Sequence, residues 1–272
     1  MISLKNKDVM RYIERFKGDT FIVKFSGKVL ENDAIIESVT KDIATLHKVG
    51  INLIIVHGAG SMISDTLNEF GLKTTFINGE RVTTREILNI VIWCLHYVNN
   101  KLVSSINKCN ARAVGLDSSL LIAEKTKKEE LGFVGNIKEI KKDILEILIG
   151  EGYIPVISPI GMDRQTSMPL NINADIVAGE LAHAVGAKKF IVLTTVRGVL
   201  NEDGNLIKTL TIEECYKLRE KGVIKTGMIP KIDACIMALK KGVERAHIIK
   251  AEEDALLGEL LTDEGTGTMI TE

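Results

Sequence analysis

The stretch from Met168 to Leu200 constrains the fold of this 272-residue chain more than any other. It opens with Asn171, Asn173 and Asp175, which are spaced two apart as on an extended segment, and it then becomes helical. An apolar, β-branched run from Phe190 to Val196 follows and is typical of a buried strand. Polar groups are therefore expected beside a helix N-terminus and near a strand end. In open parallel sheets, ligands bind in the crevice that forms at the carboxyl ends of the strands. Asn171 and Asp175 are also common capping residues, so this stretch alone leaves helix capping as an equal alternative.

The helix inside this stretch has Ile176 and Leu181 among its apolar residues. Gly186 is expected to end it, because glycine adopts the left-handed conformation that follows many helices. Lys188 and Lys189 then suit the negative end of the helix dipole. Elsewhere, the pattern predicts a long helix over about residues 84–105 from a cap at Thr83-Thr84, a hairpin over 119–137 and a helix over 139–150.

Composition narrows the class of protein. Hydrophobic residues make up 45% of the chain and the net charge is −1, which predicts a globular protein of one large α/β domain or two lobes. This charge gives no electrostatic basis for binding nucleic acid or an anionic membrane. No apolar run reaches the roughly 18 residues of a membrane span, and the N-terminus has no signal-peptide core. The four scattered cysteines favour a reduced, cytoplasmic protein, and the five histidines have no metal-ligand spacing.

Two glycine-containing turns follow the first two predicted strands. The first strand leads into Lys24-Phe25-Ser26-Gly27-Lys28, and the second ends in His57-Gly58-Ala59-Gly60. A lysine at a strand end before glycine suits phosphate, because its charge lies beside backbone N–H groups that an anion can approach closely. Either turn alone is a weak signal.

Two further segments carry cationic side chains. Arg81-Val82-Thr83 presents a guanidinium, whose planar fork pairs with both oxygens of a carboxylate. The segment from Gly227 to Lys231, Gly-Met-Ile-Pro-Lys, places a lysine at a helix start, where the helix dipole also favours phosphate.

Taken together and in this order, these motifs resemble those of the amino acid kinase family. The resemblance implies an α/β fold, a three-layer αβα sandwich around a mainly parallel open sheet. It also implies an N-terminal lobe, residues 1–170, for acyl-acceptor binding and oligomer contacts, and a C-terminal lobe, residues 171–272, for nucleotide binding.

The family members that it resembles most use ATP to phosphorylate the side-chain carboxylate of N-acetyl-L-glutamate, giving an acyl phosphate in arginine biosynthesis. By resemblance, the catalytic residues are Lys24, Lys231 and Asp175. The acceptor-binding residues are Gly58, Ala59, Gly60, Arg81, Asn171 and Asn173. The nucleotide-binding residues are Ser26, Gly27, Thr194, Thr195, Gly198, Gly227 and Met228. Mg²⁺ is expected on the ATP phosphates, since no carboxylate cluster offers it a cage of its own.

This chemistry needs no general base. A carboxylate with a pKa near 4 is already an ionised nucleophile at neutral pH. Catalysis then consists of positioning and of neutralising the transferred phosphoryl group. His57 is accordingly interpreted as structural.

The chain departs from the family pattern at several site positions, namely Ser26, Lys28, Ala59, Asp117–Ser119 and Thr195. If glycine at position 26 or 59 serves a positive φ, its replacement strains the loop by about 1–2 kcal/mol. Otherwise the added side chain takes space beside the ligands.

The two chain ends resemble those of arginine-inhibited family members. Residues 4–16 form an amphipathic pattern whose Tyr12 and Phe16 match their N-terminal helix, and residues 257–268 match their C-terminal segment. The resemblance implies L-arginine as an effector. It also implies a homo-oligomer, dimer or hexamer, in which Tyr12 and Phe16 contact another subunit.

Two alternatives to this function stay open. One is a related kinase acting on the carboxylate of another acidic amino acid, either free or linked to a carrier. The other is a weakened, non-catalytic homologue that binds arginine.

Overall fold

The computed structural model describes residues 7–77, 79–224 and 227–272, so Leu4, Asn78, Lys225 and Thr226 lie outside the described residues. The helices are α1 (Lys7–Phe16), α2 (Asp33–Lys48), α3 (Gly60–Glu69), α4 (Arg85–Lys108), α5 (Lys142–Gly150), α6 (Ala174–Ala184), α7 (Ile212–Glu220), α8 (Ile229–Lys240) and α9 (Ala255–Leu261). The strands are β1 (Thr20–Phe25), β2 (Asn52–His57), β3 (Phe76–Ile77), β4 (Glu80–Arg81), β5 (Ala113–Leu116), β6 (Leu121–Lys125), β7 (Gly135–Ile140), β8 (Ile154–Ile157), β9 (Ile160–Asp163), β10 (Pro169–Asn171), β11 (Lys189–Thr194), β12 (Thr209–Thr211), β13 (Arg245–Lys250) and β14 (Thr268–Thr271).

An eight-stranded sheet forms the middle layer, in the order β12-β14-β13-β11-β1-β2-β8-β5. Neighbouring strands are parallel except for β13 and β14. Strand β1 lies between β11 and β2 and is buried over residues 21–25, which fits its run of β-branched and aromatic side chains. A second sheet, β10-β9-β6-β7, and the hairpin β3–β4 lie beside it.

Helices cover both faces of the large sheet. Successive side chains of a strand point to opposite faces, so Phe21, Val23 and Phe25 enter one core with α1–α4 and α9. Ile22 enters the other core, which contains α5–α8. The predicted three-layer αβα sandwich is confirmed.

Helix α6 follows the predicted pattern with two differences. Asn173 caps it by accepting a hydrogen bond from the Asp175 N–H at 2.8 Å, and Gly186 follows the helix with φ of 60°. Ile176 is 37% exposed, and Val177 takes the buried position instead. Lys189 does not lie at the helix end as expected, because it is the buried first residue of β11.

Some predicted boundaries were wrong. Strand β11 ends at Thr194 rather than Val196, because the ladder to β13 ends there and the next residues are exposed. Helix α5 begins at Lys142 rather than 139, because residues 139 and 140 pair with β6 as part of β7. Helix α4 extends to Lys108, and its Thr84 cap is confirmed by a hydrogen bond from the Ile87 N–H.

Helix α1 packs on its own chain. Val9, Ile13 and Phe16 are buried, and the Phe16 ring meets Phe21 edge-on at 5.4 Å. The Tyr12 hydroxyl donates to Asp263. The Phe16 ring thus packs within its own chain, and the contact of Tyr12 and Phe16 with another subunit stays a prediction. The homo-oligomer stays a prediction.

A carboxylate distant in sequence caps α9. Asp42 of α2 is 3% exposed, and its Oδ2 accepts a hydrogen bond from the Leu256 N–H at 2.9 Å. Burial raises the pKa of Asp42 to about 7, and nearby Asp254 and Glu253 add to the rise. The N–H groups of Leu256 and Leu257 oppose it.

The Asp42→Asn variant is expected to become more stable than the wild type as pH rises. Between the ordinary pKa of 3.8 and about 7, the folded chain retains a proton that the unfolded chain loses, so the wild-type free energy of unfolding falls as pH rises. Asparagine keeps an acceptor for Leu256 without the charge. Urea denaturation should show its advantage growing by on the order of 2–3 kcal/mol from about pH 5 to about pH 8. Asp33→Asn, an exposed position on the same helix, is the control; parallel pH profiles for wild type and Asp42→Asn would contradict the prediction.

Candidate active site

Three chain segments meet at the carboxyl ends of β1 and β2. A Cβ atom at Gly27 would lie 3.3 Å from the Gly60 nitrogen, at the start of α3. A Cβ atom at Gly58 would lie 3.6 Å from the Ala174 Cβ, at the start of α6. The two glycine-containing turns therefore contact each other beside two helix N-termini. Backbone N–H groups and helix dipoles at such a place favour anions.

A buried ion pair joins two of the predicted catalytic residues. Lys24 Nζ lies 2.7 Å from Asp175 Oδ1, and the lysine is 7% exposed. The contact is an ion pair without hydrogen-bond geometry. Asp175 therefore faces Lys24 while Asn173 caps α6, which assigns the two polar residues of this loop to different tasks.

Lys231 completes this cluster from the first turn of α8. Its Nζ donates to the Gly227 carbonyl at 2.6 Å. Burial lowers the pKa of Lys231, Lys24 and Lys28 lower it further, and Asp175 opposes them. Lys24, Lys28 and Asp175 thus lie within electrostatic reach of Lys231, and this excess of positive charge suits a polyphosphate.

All six predicted acceptor-binding residues line one cleft of about 170 Å³. They are Gly58, Ala59, Gly60, Arg81, Asn171 and Asn173. The remaining wall is largely apolar and includes Ile63, Leu95, Val134, Pro159 and Ile172. The cleft therefore combines one cation, Arg81, and one carboxylate, Glu80, which pairs with Lys128, with an apolar surface.

Arg81 is the cation of this cleft and is 7% exposed. Its Nη2 donates to the Gly60 carbonyl at 3.0 Å and to Ser64 Oγ at 2.9 Å, and its Nη1 donates to Thr74. The guanidinium also stacks on Phe76 at 4.6 Å. Burial lowers the pKa of Arg81. Among the described residues no carboxylate pairs with it, so a ligand carboxylate would supply the missing charge.

The four-stranded sheet, β10-β9-β6-β7, which we call the small sheet, covers the cleft. Hydrogen bonds join its β6–β7 connection to Thr83, close to Arg81. Thr83 donates its N–H to Leu131 at 2.9 Å and accepts the Phe133 N–H at 2.7 Å. Gly132 between them has φ of 70°, and a Cβ there would lie 2.4 Å from the Thr83 oxygen. Asn171 Nδ2 donates to Thr83 Oγ1 at 3.1 Å rather than capping a helix. These hydrogen bonds hold the small sheet in place over the acceptor cleft.

His57 is fully buried beneath the site. Burial lowers its pKa to about 4. Its Nε2 lies 3.1 Å from Asn99 Nδ2 and 3.2 Å from Ser158 Oγ. A neutral, enclosed imidazole that contacts a side chain of α4 and the residue after β8 supports the structural interpretation.

The departures from the family pattern are not strained. Ser26 has φ of −70° and Ala59 has φ of −140°, so neither position requires glycine. This result excludes the strain that sequence analysis allowed and leaves the alternative that the added side chains occupy space.

The predicted nucleotide-binding residues lie at the same end of the sheet. Ser26 and Gly27 follow β1, Thr194 ends β11, and Gly227 and Met228 precede α8. Thr195 is exposed, and Gly198, with φ of 149°, packs against Thr268, since a Cβ there would lie 2.5 Å from Oγ1. Their nucleotide role stays a prediction.

Sequence reasoning missed the residues that hold Arg81 and the small sheet in place. Ser64 and Thr74 bind the guanidinium, and Glu80 beside it pairs at 3.0 Å with Lys128, in the connection between β6 and β7. These side chains come from separate elements and form no linear motif, so no sequence signal pointed to them.

A second cleft, of about 150 Å³, lies between α1, α9 and the edge of the large sheet. We call it the α1–α9 cleft; it is lined by Tyr12, Lys189, Lys208, Thr209, Arg245, His247, Glu259, Thr262, Asp263, Glu264, Gly265, Gly267 and Met269. Glu259 binds His247 at 2.7 Å and accepts the Gly267 N–H at 2.8 Å. Lys189 is 4% exposed, and burial lowers its pKa to about 8. Among the described residues Lys189 has no carboxylate at ion-pair distance, and its ammonium lies 4.5 Å from the Phe16 ring centre.

No group of three or more His, Cys, Asp or Glu within the described ranges is placed to hold a metal ion. None of the helices described is long and apolar enough to cross a membrane.

Comparison with known proteins places these features in a family. Residues 19–250 match the amino acid kinase family. The chain is 42% identical to an acetylglutamate kinase of Archaeoglobus fulgidus, over 97% of each chain. It is 40% identical to an acetylglutamate kinase of a Nitratiruptor species, over 97% of this chain and 95% of that one.

Solved structures share the fold. One is N-acetylglutamate synthase from Neisseria gonorrhoeae, complexed with coenzyme A and L-arginine, with a TM-score of 0.89 and 24% identity. This comparison covers 97% of the present chain and 64% of the synthase chain. Giardia carbamate kinase has a TM-score of 0.71 and 15% identity, over 94% of this chain and 99% of that one. With the ordered motifs, the fold and these relatives in agreement, the chain belongs to the amino acid kinase family.

Proposed function

We propose that this chain uses ATP to phosphorylate the side-chain carboxylate of N-acetyl-L-glutamate, giving an acyl phosphate in arginine biosynthesis. One observation carries the proposal most directly. Arg81 is a buried guanidinium without a carboxylate partner among the described residues, and Gly60 of its cleft contacts Gly27, in the turn that follows the Lys24 strand. An acidic ligand bound to Arg81 therefore has its far end beside a phosphate-binding place.

The reaction proceeds by charge neutralisation. Arg81 binds the acceptor's α-carboxylate with its planar fork, and the apolar wall receives the acetyl group. The side-chain carboxylate, already ionised, attacks the γ-phosphorus of ATP, and ADP leaves with the electrons of the broken bond. Lys24 and Lys231 neutralise the phosphoryl oxygens as charge develops, and Asp175 holds Lys24 in position.

Mg²⁺ is proposed to bind with ATP. Asp175, the carboxylate of the lysine cluster, is engaged with Lys24, which fits a cation held by phosphate oxygens rather than by the protein. When bound, Mg²⁺ would neutralise part of the triphosphate charge.

The two lobes divide the work in this proposal. Residues 1–170 supply Arg81 and the glycine turn of the acceptor cleft, and residues 171–272 supply Lys231 and most of the nucleotide site. Asn171 and Asn173, at the start of the second lobe, complete the acceptor cleft. The cytoplasmic location and the homo-oligomer stay predictions.

Purified protein should form an acyl phosphate from MgATP and N-acetyl-L-glutamate, which hydroxylamine traps as a coloured hydroxamate. The physical reason is the cationic, partly apolar cleft beside the lysine cluster. L-Glutamate, N-acetyl-L-aspartate and N-acetyl-L-aminoadipate serve as matched acceptors of altered charge or length. Turnover with another acceptor alone would replace the substrate and spare the family. No turnover with any acceptor, in a protein that still binds arginine, would favour the non-catalytic alternative.

Two substitutions should separate binding from catalysis. Lys231→Ala is expected to lower kcat by roughly 10²–10³, the scale of losing one transition-state donor. Arg81→Ala is expected chiefly to raise the KM for the acceptor, by the equivalent of about 1.5–3 kcal/mol for a charged hydrogen bond. Steady-state kinetics with each substrate varied measure both effects. Lys240→Ala, at the other end of α8, is the control. Near-normal kinetics of both site variants would show that the active site lies elsewhere.

We further propose that the α1–α9 cleft binds L-arginine as an effector. Its wall combines cations, including Lys189 and Arg245, with the carboxylates of Glu259 and Asp263. Charges of both signs in one cleft suit an amino acid that carries a carboxylate, an ammonium and a guanidinium. Lys189, buried and without an ion-pair partner among the described residues, suits the carboxylate.

Lys189→Met should weaken inhibition by arginine roughly tenfold or more while leaving uninhibited turnover unchanged. Methionine keeps most of the side-chain volume and removes the charge. The adjacent Lys188→Met is the control, because Lys188 is more exposed and pairs with Glu244 outside the cleft. Inhibition curves for the wild type and both variants provide the test. A wild type insensitive to arginine, or equal inhibition of both variants, would remove the effector assignment.

A further inference from the structure

The acceptor cleft contains a carboxylate that the binding of an acidic ligand does not explain. Among the described residues that line it, Glu80 is the one carboxylate and Arg81 is the one cation. Like charges repel at close range, so a bare carboxylate here would oppose an acceptor that itself carries two carboxylates. The chain nevertheless places Glu80 next to the arginine that is proposed to bind one of them. A negative charge in this position calls for a physical reason.

The charge of Glu80 is compensated from outside the cleft. Its Oε2 accepts a hydrogen bond from Lys128 Nζ at 3.0 Å. The Glu80 side chain is 23% exposed, whereas that of Lys128 is 51% exposed and Lys128 does not line the cleft. The lysine therefore lies on the outer side of the pair, and the carboxylate lies on the side of the ligand.

Backbone contacts hold both members of this pair in place. Glu80 pairs with Ile77 across the β3–β4 hairpin and lies three residues before Thr83. The Thr83 N–H donates to the Leu131 carbonyl at 2.9 Å, and the Leu131 N–H donates to the Lys128 carbonyl at 3.0 Å. The hydrogen bonds that join the β6–β7 connection to Thr83 therefore also bring Lys128 to Glu80. The pair is a defined bridge between two elements beside the cleft.

Glu80 is placed near the α-nitrogen of an acceptor bound by Arg81. Strand β4 consists of Glu80 and Arg81 alone, and both residues line the acceptor cleft. Consecutive Cα atoms are about 3.8 Å apart, and one carbon atom carries both the α-carboxylate and the α-nitrogen of an amino acid. An α-carboxylate held by Arg81 therefore brings the α-nitrogen close to Glu80. This nitrogen is a neutral amide in N-acetyl-L-glutamate and a cationic ammonium in L-glutamate.

We propose that the Glu80–Lys128 ion pair determines acceptor specificity, selecting an acylated, neutral α-nitrogen over a free ammonium. An unpaired Glu80 would bind an ammonium through a charge-assisted hydrogen bond and would repel the α-carboxylate of the acceptor. Lys128 supplies the counter-charge in place of the ligand, which removes both effects. This inference rests on the proposed function, in which Arg81 binds the α-carboxylate and N-acetyl-L-glutamate is the acceptor.

The kinetics of Lys128→Met test this assignment, because methionine keeps most of the side-chain length and removes the charge. The measured quantity is the ratio of the inhibition constant of L-glutamate to the KM for N-acetyl-L-glutamate. Lys128→Met is expected to lower this ratio roughly tenfold or more, the scale of a hydrogen bond between charged groups. Measuring L-glutamate as an inhibitor records its binding even where it is not phosphorylated.

Lys127→Met is the matched control. Lys127 is the exposed neighbour in the same connection and has no ion-pair partner among the described residues. This variant loses the same charge and should keep the wild-type ratio. Adding Glu80→Gln to Lys128→Met should restore the ratio, because the carboxylate charge is then also absent. The melting temperature of Lys128→Met should stay at the wild-type value, since partly exposed ion pairs contribute little to stability.

The possible results separate this inference from the proposed function. Equal ratios in Lys127→Met and Lys128→Met, or a lowered ratio that Glu80→Gln does not restore, would overturn the inference and leave the proposed function intact. A wild type that does not phosphorylate N-acetyl-L-glutamate would overturn the proposed function and this inference together.

Discussion

The ion pair between Lys24 and Asp175 is the interaction on which the site depends. It lies at the carboxyl end of β1, between two neighbouring strands of the large sheet and below the N-terminus of α6. A buried lysine without a counter-charge is costly, and burying a pair remains costly unless the charges are well placed. The chain therefore keeps a cation at the core of the molecule only because α6 begins where its carboxylate reaches that cation. This arrangement gives phosphate a fixed, partly desolvated positive charge.

Charge is distributed unequally around this pair. Lys231 lies within electrostatic reach of both members of the pair and of Lys28, and in the adjoining cleft Arg81 adds a guanidinium that has no carboxylate partner among the described residues. Burial lowers the pKa of Lys231, and repulsion from Lys24 and Lys28 lowers it further in the ligand-free site. Anionic substrates would relieve this repulsion, so part of the binding energy is stored in the ligand-free protein.

A second buried lysine lies beside a cleft at the opposite end of the sheet. Lys189 begins β11, whereas Lys24 lies near the end of the neighbouring β1, and each is a buried lysine beside a cleft. Lys189 has no ion-pair partner in the described part of the chain, and Lys24 has one. Helix α9 connects the two regions, since it follows β13 on the active-site side and carries Glu259 into the α1–α9 cleft. Asp42 holds the first turn of that helix.

The sequence by itself determined the fold class and most of the acceptor cleft. Alternating apolar strands, amphipathic helices and glycine-containing turns are local patterns, and Arg81, Asn171 and the residue 58–60 turn are part of motifs with a fixed spacing. Tertiary structure alone decided which residues each helix buries and which charged side chains form pairs. Strand β11 ended at Thr194 because its neighbour β13 did, and α5 started late because β7 pairs with β6. The partners of Arg81, the cap from Asp42 and the ion pair between Glu80 and Lys128 arise between residues distant in sequence, so only the packed chain could specify them.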